Sequence, residues 1–191
     1  MESAVVPQDL LDQVDRASYP ILFEEKVWTG VQTRCAFALE LPPVQEIAVV
    51  GMLPYIGDEW LLVHHGDGWW PGAGGKLEPG ESYLEAVRRE VGEETGASIV
   101  TYTVIGAYRC LSLADKPLRS HLPWPWFYQV IGFGEVELVA RPTPTDREHI
   151  LEVVALPFDR ACQQLLTNTY AGAENVEILR LAADLRKAMA T

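Results

Sequence analysis

The chain has 191 residues, 48% of them hydrophobic, and a formal net charge of −12 at pH 7. That is length enough for one well-filled core and short for two domains, and the acidity argues against gripping a nucleic-acid polymer through a basic face. Three cysteines with no CxxC pair and no zinc spacing give no disulfide framework, so a reducing cytoplasm is expected.

The opening residues, MESAVVPQDLLDQVDR, are acidic and lack the apolar run of a signal peptide. No segment approaches the length of a membrane span, so no membrane partner is expected. Residues 8–17 predict a short amphipathic helix with Leu10, Leu11 and Val14 inward, and residues 21–41 read as strand up to the breakers Pro42 and Pro43. Residues 1–44 are expected to be an extension of the same domain as 45–191, as an extra sheet edge or a homodimer contact. Residues 46–55 and 59–65 predict two strands joined by a turn at Ile56, Gly57 and Asp58.

Next comes GDGWWPGAGG, whose glycines let backbone approach a ligand closely. Beyond residue 98 the pattern predicts one or two strands over 99–113 and a loop rich in Pro and Trp over 114–126. A strand over 126–139, a proline-containing loop over 141–147 and a last strand over 149–156 follow. Helices over 158–166 and 175–189 close the chain, the latter with Val176, Leu179 and Ala183 helping to set its faces. Strands and helices are interspersed without a regular βαβ rhythm. The pattern predicts one α/β sandwich, a mixed β-sheet covered by helices.

The stretch that organises the rest is residues 75–97, GKLEPGESYLEAVRREVGEETGA. Pro79 and Gly80 make a turn, Ser82 with Glu85 has capping-box spacing, and Gly96 suits the position just past a helix end. Leu84, Val87 and Val91 form one stripe at helical spacing, with Glu90, Glu93 and Glu94 projecting together beside it. An acidic face of this kind is usually just solvated. Here, however, Gly75, Glu81, Arg89, Glu90, Glu93, Glu94 and Gly96 stand at fixed offsets that chance would produce on the order of 10⁻⁹ times per start point.

This pattern resembles the Nudix box, the signature of the Nudix hydrolases, with Ala97 smaller than the usual aliphatic residue. The resemblance implies an α/β/α sandwich with the box as a loop and helix. Carboxylates without His or Cys companions form an all-oxygen site suited to Mg²⁺ or Mn²⁺, and such ions belong beside a phosphoanhydride. The implied substrate is a small-molecule diphosphate, a nucleoside diphosphate linked to some group X.

Carried over by the box, Glu90 and Glu94 are the first metal ligands, and Glu93 is a further ligand or orients the attacking water. Arg89 fixes a box carboxylate, Glu81 takes part more weakly, and the Gly74 carbonyl helps hold the metal. One more carboxylate is expected from outside the box. Glu135 in GFGEVEL is preferred over Glu137, Glu148 and Glu152. Trp124, Trp126, Arg119 and Trp70 are candidates to hold X, as flat platforms and a cation. His64 and His65 read as structural.

Two other readings compete with a hydrolase. One is an enzyme like isopentenyl diphosphate isomerase, which uses a Cys nucleophile and a His-bound metal; the other is a non-catalytic module on the same fold. The intact box speaks against both.

Overall fold

The computed structural model describes residues 4–140 and 150–190. The prolines and glycines of the sequence divide the chain into short elements. β1 (Ala4–Val5), α1 (Gln8–Leu11), α2 (Pro20–Phe23), β2 (Lys26–Trp28) and β3 (Thr33–Ala38) come first. Two expectations are corrected here. The helix predicted over 8–17 stops after one turn, and a helix led by Pro20 stands where strand was read, because proline at a first helical position is preorganised for it. α2 is only one turn long but buries Leu22 completely.

The central part follows the prediction closely. β4 (Ile47–Ile56) and β5 (Glu59–His65) turn at Gly57, which has a φ of 56°. The glycine-rich approach is ordered as β6 (Gly68–Trp70) and β7 (Ala73–Lys76). α3 (Tyr83–Thr95) starts at Ser82, whose side chain accepts from the Glu85 N–H while Glu85 accepts from the Ser82 N–H at 2.8 Å. It stops at Gly96 in the left-handed conformation, which glycine takes without strain.

β8 (Ala97–Ile99), β9 (Thr103–Ser112), β10 (Trp126–Leu138) and β11 (Ile150–Pro157) follow. α4 (Phe158–Leu165) and α5 (Gly172–Met189) end the chain, with α5 beginning three residues before the predicted start. The loop predicted over 141–147 lies outside the described residues.

The strands form one mixed sheet in the order β11-β5-β4-β10-β9-β3-β2, with β10 parallel to β4 and antiparallel to β9. The N-terminal segment supplies the β2–β3 edge.

Helices cover both faces, and paired residues tell which is which, since directly opposed side chains share a face. Tyr108 pairs with Gln129 and donates its hydroxyl to Glu174 of α5 at 2.6 Å. Tyr55 pairs with Glu135 and carries Arg186 of α5 over its ring at 3.7 Å. The odd-numbered positions of β10 from 129 to 135 therefore look toward α5. Gly75 pairs with Val50, Val50 with Val130, and a side chain on Gly75 would collide with Glu90 of α3. The even-numbered positions of β10 accordingly look toward α3. Among the described residues no helix is long and apolar enough to cross a membrane.

Candidate active site

α3 packs on the sheet through Ala86, Val87 and Val91, each at most 1% exposed. The two valines each contribute roughly 1.5–3 kcal/mol by burial. Glu90 and Glu94 do not stand beside this stripe as the sequence suggested; they lie within it, at 3% and 2% exposure. Room for them comes from the glycines before the helix. Gly75 has no Cβ, and the Glu90 carboxylate occupies the space that one would fill. The N–H of Gly74 donates to Glu94 Oε2 at 3.1 Å.

Arg89 ties the group together and uses all five of its N–H donors. Nε and one terminal nitrogen take both oxygens of Glu81 at 2.9 and 3.0 Å. The other terminal nitrogen donates to Glu90 Oε1 at 2.8 Å and Glu93 Oε2 at 3.3 Å, and the Lys76 carbonyl accepts the remaining bond at 3.1 Å. Hydrogen bonding to Glu81, and then to Glu90, holds the guanidinium charged far above its ordinary range.

His65 Nε2 stands 3.9 Å from Glu94 Oε1, and burial lowers the imidazole's pKa from its ordinary value. No functional signal was legible at this position, since a histidine ending a strand is ordinarily structural. Its neighbour His64 is structural, stacked on Trp69 at 4.5 Å.

Among the described residues no three His, Cys, Asp or Glu side chains converge around one point as a finished metal cage. The donors nevertheless fit a hard cation in kind. Glu81, Glu90 and Glu93 share one guanidinium, Glu94 lies beside them, all the carboxylate donors are oxygens, and two of the acids are almost wholly out of water.

The candidates outside the box are distributed differently. Glu135 is level with Tyr55 and faces α5, so strand alternation puts it on the other side of the sheet from Glu90, which corrects its selection as the extra carboxylate. Glu137 pairs with Ser98 on β8, Glu152 pairs with His64, and Glu148 lies outside the described residues.

Arg119 is engaged by Glu78, and His121 Nε2 lies 2.8 Å from the Leu77 carbonyl, so this part of the Pro-Trp loop is docked on the box loop. Arg119, expected as a cation for X, is paired here with Glu78 of the box loop. Trp70 donates to Asp67 at 3.0 Å within its own hairpin. Trp124 and Trp126 are 48% and 44% exposed and line a cavity of about 420 Å³ with Glu46, Arg109, Pro123, Pro125 and Tyr128. Arg109 lies over the Trp126 ring at 4.3 Å. It was not anticipated; its one signal is a cation inside the otherwise apolar run of β9.

A domain model described as NUDIX domain matches residues 46–177. The chain belongs to the Nudix family. Among curated proteins it is similar to the Bacillus subtilis (strain 168) protein YtkD, provisionally named an 8-oxo-dGTP diphosphatase. The two are 46% identical over 55 residues, which is 29% of this chain and 35% of that protein.

Among solved structures it is similar to the Bacillus subtilis pyrophosphohydrolase BsRppH, with a TM-score of 0.54 and 24% identity. That match covers 70% of this chain and 77% of the other. A NUDIX hydrolase from Nitrosomonas europaea matches with a TM-score of 0.51 and 21% identity, over 73% and 87% of the two chains. These likenesses give the fold, an α/β sandwich with a mixed sheet.

Proposed function

We propose that this chain is a Mg²⁺- or Mn²⁺-dependent pyrophosphohydrolase that cleaves the phosphoanhydride of a nucleoside diphosphate linked to a group X. The observation that carries the reading is the pair of buried carboxylates, Glu90 and Glu94, set against glycine backbone and gathered with Glu93 and Glu81 around one arginine. Like charges held this closely cost stability, and a site that keeps them is arranged for added cations. The resemblance of YtkD and BsRppH supports a nucleotide substrate and pyrophosphate-bond hydrolysis.

Glu90 and Glu94 would hold the cation, with Glu93 and the Gly74 carbonyl completing the protein's share. When bound, such a cation offsets charge on the phosphate oxygens and lowers the pKa of the attacking water. Arg89 is a positioning residue, because its forked contacts fix the rotamers of Glu81, Glu90 and Glu93. The Gly74 N–H fixes Glu94, and Glu93, 26% exposed at its side chain, is placed to orient water. Trp124 and Trp126 form the platform for a base or another flat group of the substrate.

The isomerase reading lacks its nucleophile. Cys35 and Cys110 are at most 1% exposed, hydrogen bonding to Cys35 together with burial keeps the Cys110 thiol protonated, and burial does the same for Cys162 on α4.

The test is a panel of nucleotide sugars, dinucleoside polyphosphates, dinucleotides and nucleoside triphosphates with Mg²⁺ or Mn²⁺. Release of a mononucleotide or phosphate from at least one compound is expected, and no release from any would reject the reading.

A further inference from the structure

The cavity beside Trp126 shares a face with the box. Tyr128 and Trp126 continue the even-numbered series of β10 that looks toward α3, and Arg109 is paired with Tyr128. Gly75, under the Glu90 carboxylate, is joined to Val130 through Val50. Two strand spacings sideways and two to four residues along β10 put Tyr128 and Trp126 about 12 to 16 Å from Gly75. That is the scale of an extended nucleotide with its phosphates at the carboxylates. The volume, about 420 Å³, is ample for a base and sugar.

The lining is specific in kind. Two exposed indoles offer ring faces, and the Arg109 guanidinium stacks on one of them, which leaves its in-plane N–H groups to donate sideways. Glu46 provides an acceptor-only carboxylate at the same cavity. A paired donor and acceptor of this sort distinguishes bases. Guanine shows acceptors at O6 and N7, which arginine reads best, and donors at N1 and N2, which a carboxylate accepts. Adenine keeps the N7 acceptor, but it shows a donor at N6 in place of O6, an acceptor at N1 and no amine at C2, and so mismatches the carboxylate and one of the two arginine contacts.

We infer that this cavity takes the base of the substrate and selects a guanine-type ring. The ring stacks on Trp124 or Trp126, with Glu46 accepting from N1–H and the N2 amine and Arg109 donating to O6 and N7. The inference deepens the proposed function and rests on it for the placement of the phosphates.

The experiment is tryptophan fluorescence titration of the intact protein with GMP and with AMP without metal, beside metal-supported hydrolysis of GTP and ATP. Wild type should bind GMP about tenfold or more tighter than AMP, the size of one good bidentate discrimination. Glu46→Gln should bring the two within about threefold, since the amide presents a donor where both contacts need an acceptor. Trp126→Ala should weaken both ligands together, by the loss of stacking.

Both sites of substitution are exposed, and unchanged far-UV circular dichroism checks folding. Equal affinity for GMP and AMP in wild type, or an unaltered preference in Glu46→Gln, overturns the inference even if nucleotides are hydrolysed. Selective GMP binding without hydrolysis of any compound upholds the cavity and rejects the box as a hydrolytic centre.

Discussion

The two faces of the sheet both carry buried acids, and they treat them oppositely. On the α5 face Glu177 is 7% exposed and receives the Leu22 N–H at 2.7 Å. Glu174 is met by Lys26 at 3.0 Å, by the Tyr108 hydroxyl at 2.6 Å and by the Trp28 indole N–H at 3.4 Å. Each of these acids has its own donors, and they stitch the N-terminal segment onto α5. On the α3 face Glu81, Glu90 and Glu93 divide a single guanidinium, with Glu94 alongside. A buried carboxylate met by donors from several other elements is structural, whereas several gathered around one cation keep like charges close together, an arrangement that suits added positive charge.

The largest expected effect breaks this contrast by activity. Glu94→Gln should lower turnover by about 10²-fold or more, given that even the partners supporting a metal ligand are worth 10–100-fold. Its melting temperature without metal should hold or rise, because repulsion with Glu90 and Glu93 is relieved. Glu177→Ala should do the reverse. It leaves the Leu22 N–H buried and unmet, a loss of about 1–3 kcal/mol, with kcat/KM retained. Steady-state kinetics and thermal unfolding on both variants decide it. Full activity in Glu94→Gln would show that the crowded face is merely another structural cluster.

A smaller effect sharpens the same contrast through binding. Ions that bind the folded site alone stabilise it by mass action, by about 2.7 kcal/mol at a hundred times Kd. Millimolar Mg²⁺ or Mn²⁺ should raise the melting temperature of wild type and of Glu177→Ala equally, and that of Glu90→Gln far less. Equal shifts in all three would locate the ions elsewhere on this acidic surface.

The box was legible because local chemistry wrote it. Ser82 and Glu85 cap α3, Gly96 ends it, and Gly75 is required where Glu90 lies against backbone. None of these depends on the rest of the chain. What the sequence misplaced depended on strand pairing. Glu135 sits on a strand with the right composition, but which face it takes follows from the β10–β4 register. Glu46 and Arg109 come together only when β9 and β10 pair beside the start of β4, and Glu174 and Glu177 gain meaning only when α5 meets β2 and α2. The short α2 was hidden because one helical turn carries no periodicity, and its apolar residues looked like strand.

The smallest effect concerns the seam between the box loop and the Pro-Trp loop, which joins the charged site to the cavity. The Arg119 guanidinium, hydrogen-bonded to Glu78, holds that carboxyl below its ordinary 4.5, with lesser help from Arg89 and His121. A carboxylate whose folded pKa is depressed stabilises the fold above its unfolded pKa, and that stabilisation fades as pH falls through the folded value. Both groups are solvent-facing, so the effect belongs among the weak surface pairs. Arg119→Ala should therefore melt slightly below wild type at pH 6 to 8, with the gap closing under pH 4.5 as Glu78 protonates. If the loop positions Trp124 for the substrate, the same variant should raise KM without changing the Mg²⁺-induced thermal shift. A gap in melting temperature that persists at pH 3 would mean that Arg119 holds the loop through packing of its stem and not through its charge.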